Sequence, residues 1–219
     1  MENHKNLSRA YSDPTWLYDI RGFFILTFAY QDTLWRQIKF FEKNMGTRHA
    51  EVAVGSGTLL ELTLWWRKFL RRPKIEIFAS EKVDSMLASA RKRLRKYPHI
   101  HIESVDACAM SYPDMSFDTV NIANSIHCID NVESAFSEMF RILVPGGTLA
   151  CNVLLYPKDR FILKNIAQRI NDWGMRKGIL HTPYEWSDLE GIVQRAGFEI
   201  LNKKRHGNAL YLILLRPKV

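Results

Sequence analysis

The chain has 219 residues, of which 47% are hydrophobic and 25% charged; these are globular averages that exclude collagen-like, coiled-coil and disordered classes. Thirty-one Lys and Arg against 23 Asp and Glu give a formal net charge of +8, a balance that draws anionic partners or simply keeps a basic face solvated. The length suits a single α/β domain over residues 1–219 with a substantial core.

Taken in chain order, "MENHKNLSRAYSDPTW" is polar and lacks the apolar core of a secretory signal, so the protein reads as cytoplasmic. The apolar run "GFFILTFAY" at 22–30 is far shorter than the about 20 residues that span a bilayer. Region 1–46 reads as a helical cap in which Tyr11, Tyr18, Phe23, Phe24 and Tyr30 line an apolar pocket or seal a ligand.

From residue 50 onward, short apolar runs alternate with longer helical periods, which predicts βα units and a mostly parallel sheet. Strands are expected at 50–55, 74–80, 100–106, 117–124, 146–155, 198–205 and 209–217, and helices at 59–70, 82–97, 131–143 and 185–197. Only "HGN" separates the last two strands, a hairpin-length loop that makes the terminal pair antiparallel. The stretch 156–184 falls outside the alternation, as a helical insertion after the fifth strand. Ligands of open α/β sheets bind beyond the carboxyl ends of the strands. Both irregular segments are expected to cover that side.

In the helix at 59–70, Trp65 and Trp66 are adjacent and cannot share a face, so one is exposed or meets another segment. Arg67, Lys68, Arg71, Arg72 and Lys74 lie close by, so peripheral contact with a membrane or a nucleic acid is a candidate role for this region. No RNA-binding module accompanies it, which disfavours nucleic acid. Cys108, Cys128 and Cys151 show no CxxC or Cys/His ligand spacing, so they read as reduced apolar residues and no metal site is expected.

The segment "EVAVGSGTLL" turns from strand to helix through Gly55-Ser56-Gly57, where glycines let a ligand press against the backbone. A dinucleotide site calls for GxGxxG, and Leu60 stands at the third position, so the pattern is weak for NAD. Glu81 ends the second strand and can accept two hydrogen bonds from a ribose diol. Asp106-Ala107 ends the third, where an acceptor oxygen and apolar neighbours suit an adenine. Pro145-Gly146-Gly147 is expected to turn the chain from a helix into the fifth strand.

Together "EVAVGSGT", "ASEKVDSMLASAR", "ESVDACAMSYPDMSFDTV" and "MFRILVPGGTLA" resemble the class I S-adenosylmethionine-dependent methyltransferases. The branch is the small-molecule one that includes the ubiquinone and menaquinone biosynthesis enzymes. The resemblance covers about residues 50–155, with a looser echo in "YEWSDLEGIVQRAGFEI" and in the lead-in "WLYDIRGFFILTFAYQDTLWRQ". It implies a Rossmann-like seven-stranded sheet with helices on both faces and an antiparallel C-terminal hairpin.

The same resemblance implies S-adenosyl-L-methionine as cofactor. Gly55, Ser56 and Gly57 would approach its methionine and ribose, Glu81 and the adjoining Lys82 the ribose end, Asp106 and Ala107 the adenine, and Asn124 the sulfonium. Glu51 stands where the family usually has Asp, and Leu59 where it often has a third glycine. His127, in "NSIHCID", is the candidate general base, with a hydrogen-bonded structural role as the equal alternative. Tyr18 and Tyr30 of the cap, with Trp173, Arg176, His181 and Tyr184 of the insertion, are the candidate substrate residues for a small apolar or anionic acceptor. For the insertion, the competing reading is an amphipathic helix with Phe161, Ile162, Ile166 and Ile170 packed inward. The competing functions are an RNA or protein methyltransferase, and a cofactor-binding protein without transferase activity.

Overall fold

The structure is a computed structural model that describes residues 20, 22–157, 161–176, 180 and 183–218. Tyr11, Tyr18, Lys177 and His181 lie outside the described residues. The strands are β1 (Arg48–Val52), β2 (Glu76–Ser80), β3 (Ile100–Glu103), β4 (Phe117–Ile122), β5 (Leu143–Leu154), β6 (Glu199–His206) and β7 (Ala209–Leu215). They form one sheet in the order β3-β2-β1-β4-β5-β7-β6. The first five run parallel, while β7 is antiparallel to both β5 and β6. The strand order reverses between β1 and β4, and that switch point opens a crevice beyond their carboxyl ends.

The helices are α1 (Leu34–Lys43), α2 (Thr58–Phe69), α3 (Asp84–Leu94), α4 (Val132–Ile142), α5 (Phe161–Arg176) and α6 (Trp186–Arg195), with a π-helical turn at Ile25–Ala29 and a 3₁₀ turn at Ile126–Cys128. Side-chain caps begin two of them: Thr33 accepts from the Arg36 N–H ahead of α1, and Asn131 from the Ser134 N–H ahead of α4. β1 and β4 are buried almost throughout, as strands covered on both faces must be. One apolar cluster joins α4 and α6 to β1, β4, β5 and β7, and a second packs α2 and α3 on β2 and β3. A third is built from the cap and the insertion: Leu26, Ala29, Tyr30 and Leu180 close over Leu154, Ala209 and Tyr211.

Two expectations change. The Pro145-Gly146-Gly147 turn lies inside β5, which starts at Leu143 and pairs there with Phe117; the next register pair is Thr119 with Thr148, so the glycines form a bulge. The Arg216 N–H donates to the Gly147 carbonyl, and the Gly146 N–H to the Arg216 carbonyl, which ties the bulge to the end of β7. In α5 the inward face is Ala167, Ile170, Asn171 and Gly174; Ile170 faces inward as expected, Ile166 is exposed, and the side chains of Phe161 and Ile162 lie outside those described.

The hairpin tip at Gly207 reaches back to the cap. Its φ is +56°, and a Cβ there would stand 2.6 Å from the Tyr30 carbonyl oxygen and from atoms of Gln31. Glycine is required by both the backbone and the contact. The Asn208 N–H donates to the Tyr30 carbonyl at 2.8 Å and its side-chain amide to the Ala29 carbonyl at 2.7 Å, while the Tyr211 hydroxyl donates to Asp32. Among the described residues no helix is long and apolar enough to cross a membrane.

Candidate active site

A cavity of about 250 Å³ opens at the β1–β4 switch point. The chain after β1 supplies Val54, Gly55 and Ser56 to its wall, the chain after β4 supplies Asn124, Ser125, His127 and Cys128, and Glu51 lies at its floor. The cap contributes Phe23, Ile25, Leu26, Tyr30, Leu34 and Gln37, and α5 contributes Ile170, Asn171, Trp173 and Gly174. No lysine or arginine is among the described lining residues.

The three residues of the glycine turn do different things. A Cβ on Gly55 would meet nothing within 4 Å, so its backbone is open on the cavity side, whereas one on Gly57 would meet Leu94 at 3.2 Å and Ala90 at 3.4 Å. Gly57, at φ +81°, is the N-cap of α2 and lets that helix approach α3; it does not line the cavity. Ser56 does, and its carbonyl accepts from Arg93 Nε at 3.1 Å.

Glu51 is buried, and its carboxylate shares a 3.1 Å hydrogen bond with Nε2 of His49. A carboxylate can only accept, so that nitrogen carries the proton. Nδ1 of His49 in turn meets the Thr119 hydroxyl at 2.8 Å. Glu81 has one oxygen 2.8 Å from the Gly55 N–H and the other 2.9 Å from the Val83 N–H, clamping the ends of β1 and β2 together. Burial raises its pKa against these backbone bonds. Glu81 does not line the cavity, but its charge reaches Cys128, whose thiol is pushed up to about 12 by burial and by that carboxylate.

Asp106 accepts from the Cys108 N–H at 2.9 Å and pairs with Lys82 at 2.6 Å; these contacts hold its pKa below the ordinary value against partial burial. Lys82, Asp106 and Ala107 stand outside the cavity wall, at the ends of β2 and β3 beyond Glu81.

Asn124 has φ +55° and is locked by side chains. Its amide makes a reciprocal pair with Gln37, at 2.8 and 2.9 Å, and its backbone N–H and side-chain oxygen bond Asn152 at 2.7 and 2.6 Å. Neither Gln37 nor Asn152 is marked by local sequence pattern. Polar residues at apolar-periodic positions, inside α1 and β5, are the signal that could have found them.

His127 is buried, and desolvation lowers its pKa to about 3, so the ring is neutral. Nε2 hydrogen-bonds the Tyr30 hydroxyl, and the two rings meet edge to face at 5.4 Å. Trp173 joins them in the lining, whereas Arg176 is exposed and Tyr184 stands behind the wall. The Tyr184 N–H donates to the Leu154 carbonyl at 3.0 Å, and burial with the nearby Cys128 raises its phenol pKa.

The cavity and the strand ends beside it fit S-adenosylmethionine on the chemistry of their polar groups. A buried carboxylate at Glu51 suits an ammonium, the open backbone at Gly55 accepts close approach, and the carboxylates at Glu81 and Asp106 follow in line at successive strand ends.

The family described as "Methyltransferase domain" matches residues 51–151. The chain is 24% identical over 187 residues to the 2-phytyl-1,4-naphtoquinone methyltransferase of Thermosynechococcus vestitus, covering 76% of this chain and 79% of that one. It is 36% identical over 104 residues to the demethylmenaquinone methyltransferase of Deinococcus radiodurans, covering 47% of this chain and 41% of that protein. The chain thus spans less than half of the latter's length. Among solved structures, an S-adenosylmethionine-dependent methyltransferase of Thermotoga maritima superposes with a TM-score of 0.66 at 19% identity, over 91% of this chain and 95% of that one. The [4+2]-cyclase SpnF superposes with a TM-score of 0.66 at 18% identity, over 84% and 82%. The glycine turn and the acidic strand ends lie within the stretch that matches the methyltransferase domain, on a fold shared with S-adenosylmethionine-dependent methyltransferases.

Proposed function

We propose that this chain is a cytoplasmic enzyme that methylates a small apolar ring of the quinol type. The observation that carries the acceptor class is the cavity wall: aliphatic and aromatic side chains from the cap and α5, with no lysine or arginine among the described lining residues. Among the described residues none supplies a counter-ion for an anionic acceptor there, and Arg176 is exposed outside the wall. The relatives named as 2-phytyl-1,4-naphtoquinone and demethylmenaquinone methyltransferases support the same class.

In this reading residues 1–46 and 156–184 are covers on one domain spanning 1–219. Glu51, Gly55, Ser56 and Asn124 hold the methionine end of the cofactor, Gly57 shapes the turn, and Glu81, Lys82, Asp106 and Ala107 hold the adenosine end. Bound there, S-adenosylmethionine supplies an electrophilic methyl group on a sulfonium. The protein's share is to hold the nucleophile in line and exclude water, which is worth roughly 7–11 kcal/mol of barrier in well-placed systems. Tyr30 and Trp173 contact the acceptor. His127, held neutral by its burial, is a weak base by itself. Its role is to accept from the Tyr30 hydroxyl and fix that group toward an acceptor oxygen, giving the departing proton a path.

Stabilisation by S-adenosylmethionine but not by NAD, with labelled methyl transfer to a demethylated quinol, is the expected result. Transfer to RNA or protein fractions with none to quinols would overturn it. The second reading, cofactor binding without transfer, is favoured by the SpnF likeness, since that fold also serves a cyclase. Tight donor binding with no methyl loss to any acceptor would select it.

A further inference from the structure

The aromatic residues of α1 and α2 that the core leaves outside lie together. Trp35 is 44% exposed, Trp65 60% and Phe69 66%. Trp35 meets Trp66 edge to face at 4.5 Å, and Phe69 stacks on Trp66 at 5.1 Å and on Trp65 at 6.3 Å. The four rings make one continuous surface, on the side of α2 opposite its buried Leu60, Thr63 and Leu64.

Positive charge surrounds this surface. Lys39 Nζ sits 4.7 Å above the Trp35 ring, and Lys68, Arg71 and Lys74 are exposed at the end of α2 and just after it. The two carboxylates of these helices are turned to other partners: Glu42 is buried against Arg67 and Arg72, and Glu61 bonds Arg93 and Lys96. The same helices reach the cavity through Leu34, beside Trp35, and Leu59; Phe23, itself 55% exposed, lies at the cavity's edge.

We propose that this aromatic and basic face docks on the surface of an anionic phospholipid bilayer. Indole and phenyl rings settle at the boundary between headgroups and acyl chains, and flanking Lys and Arg are drawn to anionic headgroups. A single-stranded nucleic acid would need open ring faces for its bases. Here Phe69 stacks on both Trp65 and Trp66, and Lys39 covers Trp35, which leaves fewer open faces for bases. A second copy of the chain would bring +8 against +8. The inference goes beyond the methyl-transfer reading and stands independently of it, because vesicle binding is measured without donor or acceptor.

The full chain is sedimented with vesicles of phosphatidylcholine containing a minority of phosphatidylglycerol and with phosphatidylcholine alone, at low and high salt, while tryptophan emission is recorded. Binding to the anionic vesicles with a blue shift, weakened by salt, is expected. Trp65→Ser with Phe69→Ser, and separately Lys68→Glu with Arg71→Glu, should each weaken it by about tenfold or more. All four positions are exposed, so an unchanged melting temperature certifies the fold of each variant. No binding to anionic vesicles at low salt, or equal binding by both variants, overturns the proposal. So does a self-association or an RNA complex that the variants abolish in place of vesicle binding.

Discussion

The Tyr30 hydroxyl and Nε2 of His127 share a hydrogen bond across 97 residues of sequence, joining the cap to the end of the fourth strand's loop. Removing that hydroxyl in Tyr30→Phe should lower kcat by about a hundredfold while leaving donor affinity unchanged, since the ring still fills its place. Initial rates with calorimetric titration of the donor check this. An unchanged kcat would remove Tyr30 from the mechanism.

The burial of His127 has a signature in stability. Its folded pKa, about 3, lies below the ordinary 6.5, so between those values the unfolded chain binds the proton and the folded one does not. Its contribution is fully present above the unfolded value and is lost as pH falls through the window, with a slope of up to about 1.4 kcal/mol per pH unit. Urea unfolding over that range should show a shallower slope in His127→Asn. Identical slopes would contradict a buried neutral ring.

The amide pair of Gln37 and Asn124 should matter to folding as well as to the site. Gln37→Leu removes the reciprocal pair, leaving the Asn124 side chain only its bond from Asn152, and should cost about 1–3 kcal/mol. At the left-handed φ of Asn124, Asn124→Ala should be less stable than Asn124→Gly by about 1 kcal/mol, because only glycine takes that backbone freely. Denaturant midpoints decide the order.

Glu81→Ala should unpair the Gly55 and Val83 N–H groups, at about 1–3 kcal/mol each. Glu81→Gln, with one oxygen left, should recover part of that. Donor affinity should fall in the same order, and calorimetry that ranks the two variants the other way would show the clamp to be unconnected with binding.

The parallel half of the sheet was legible because each strand is a short buried run followed by an amphipathic helix. The terminal hairpin was legible from a three-residue gap with glycine. The β5 bulge was not: Pro145 and the glycines look like any turn, and only Arg216, about 70 residues on, pairs their backbone. Of the cavity wall, the residues following β1 and β4 were legible, since strand ends at a switch point are fixed by topology. Gln37, Asn152 and the Tyr30–His127 contact escaped because each depends on a partner distant in sequence. Arg176 suggests a pocket residue by its chemistry alone, but it stands off the face of α5 that Ala167, Asn171 and Gly174 turn inward, and so is exposed.

Gly207 makes the cap dependent on a distant hairpin. The Tyr30 carbonyl is gripped by the Asn208 backbone N–H, its neighbour Ala29 by the Asn208 side chain, and Asp32 by Tyr211. A chain stopped before β6 would already possess the glycine turn, Glu81 and His127 but none of these three grips on the cap. The cap segment that presents Tyr30 to His127 is thus held in place by the β6–β7 hairpin, which lies outside the cavity wall.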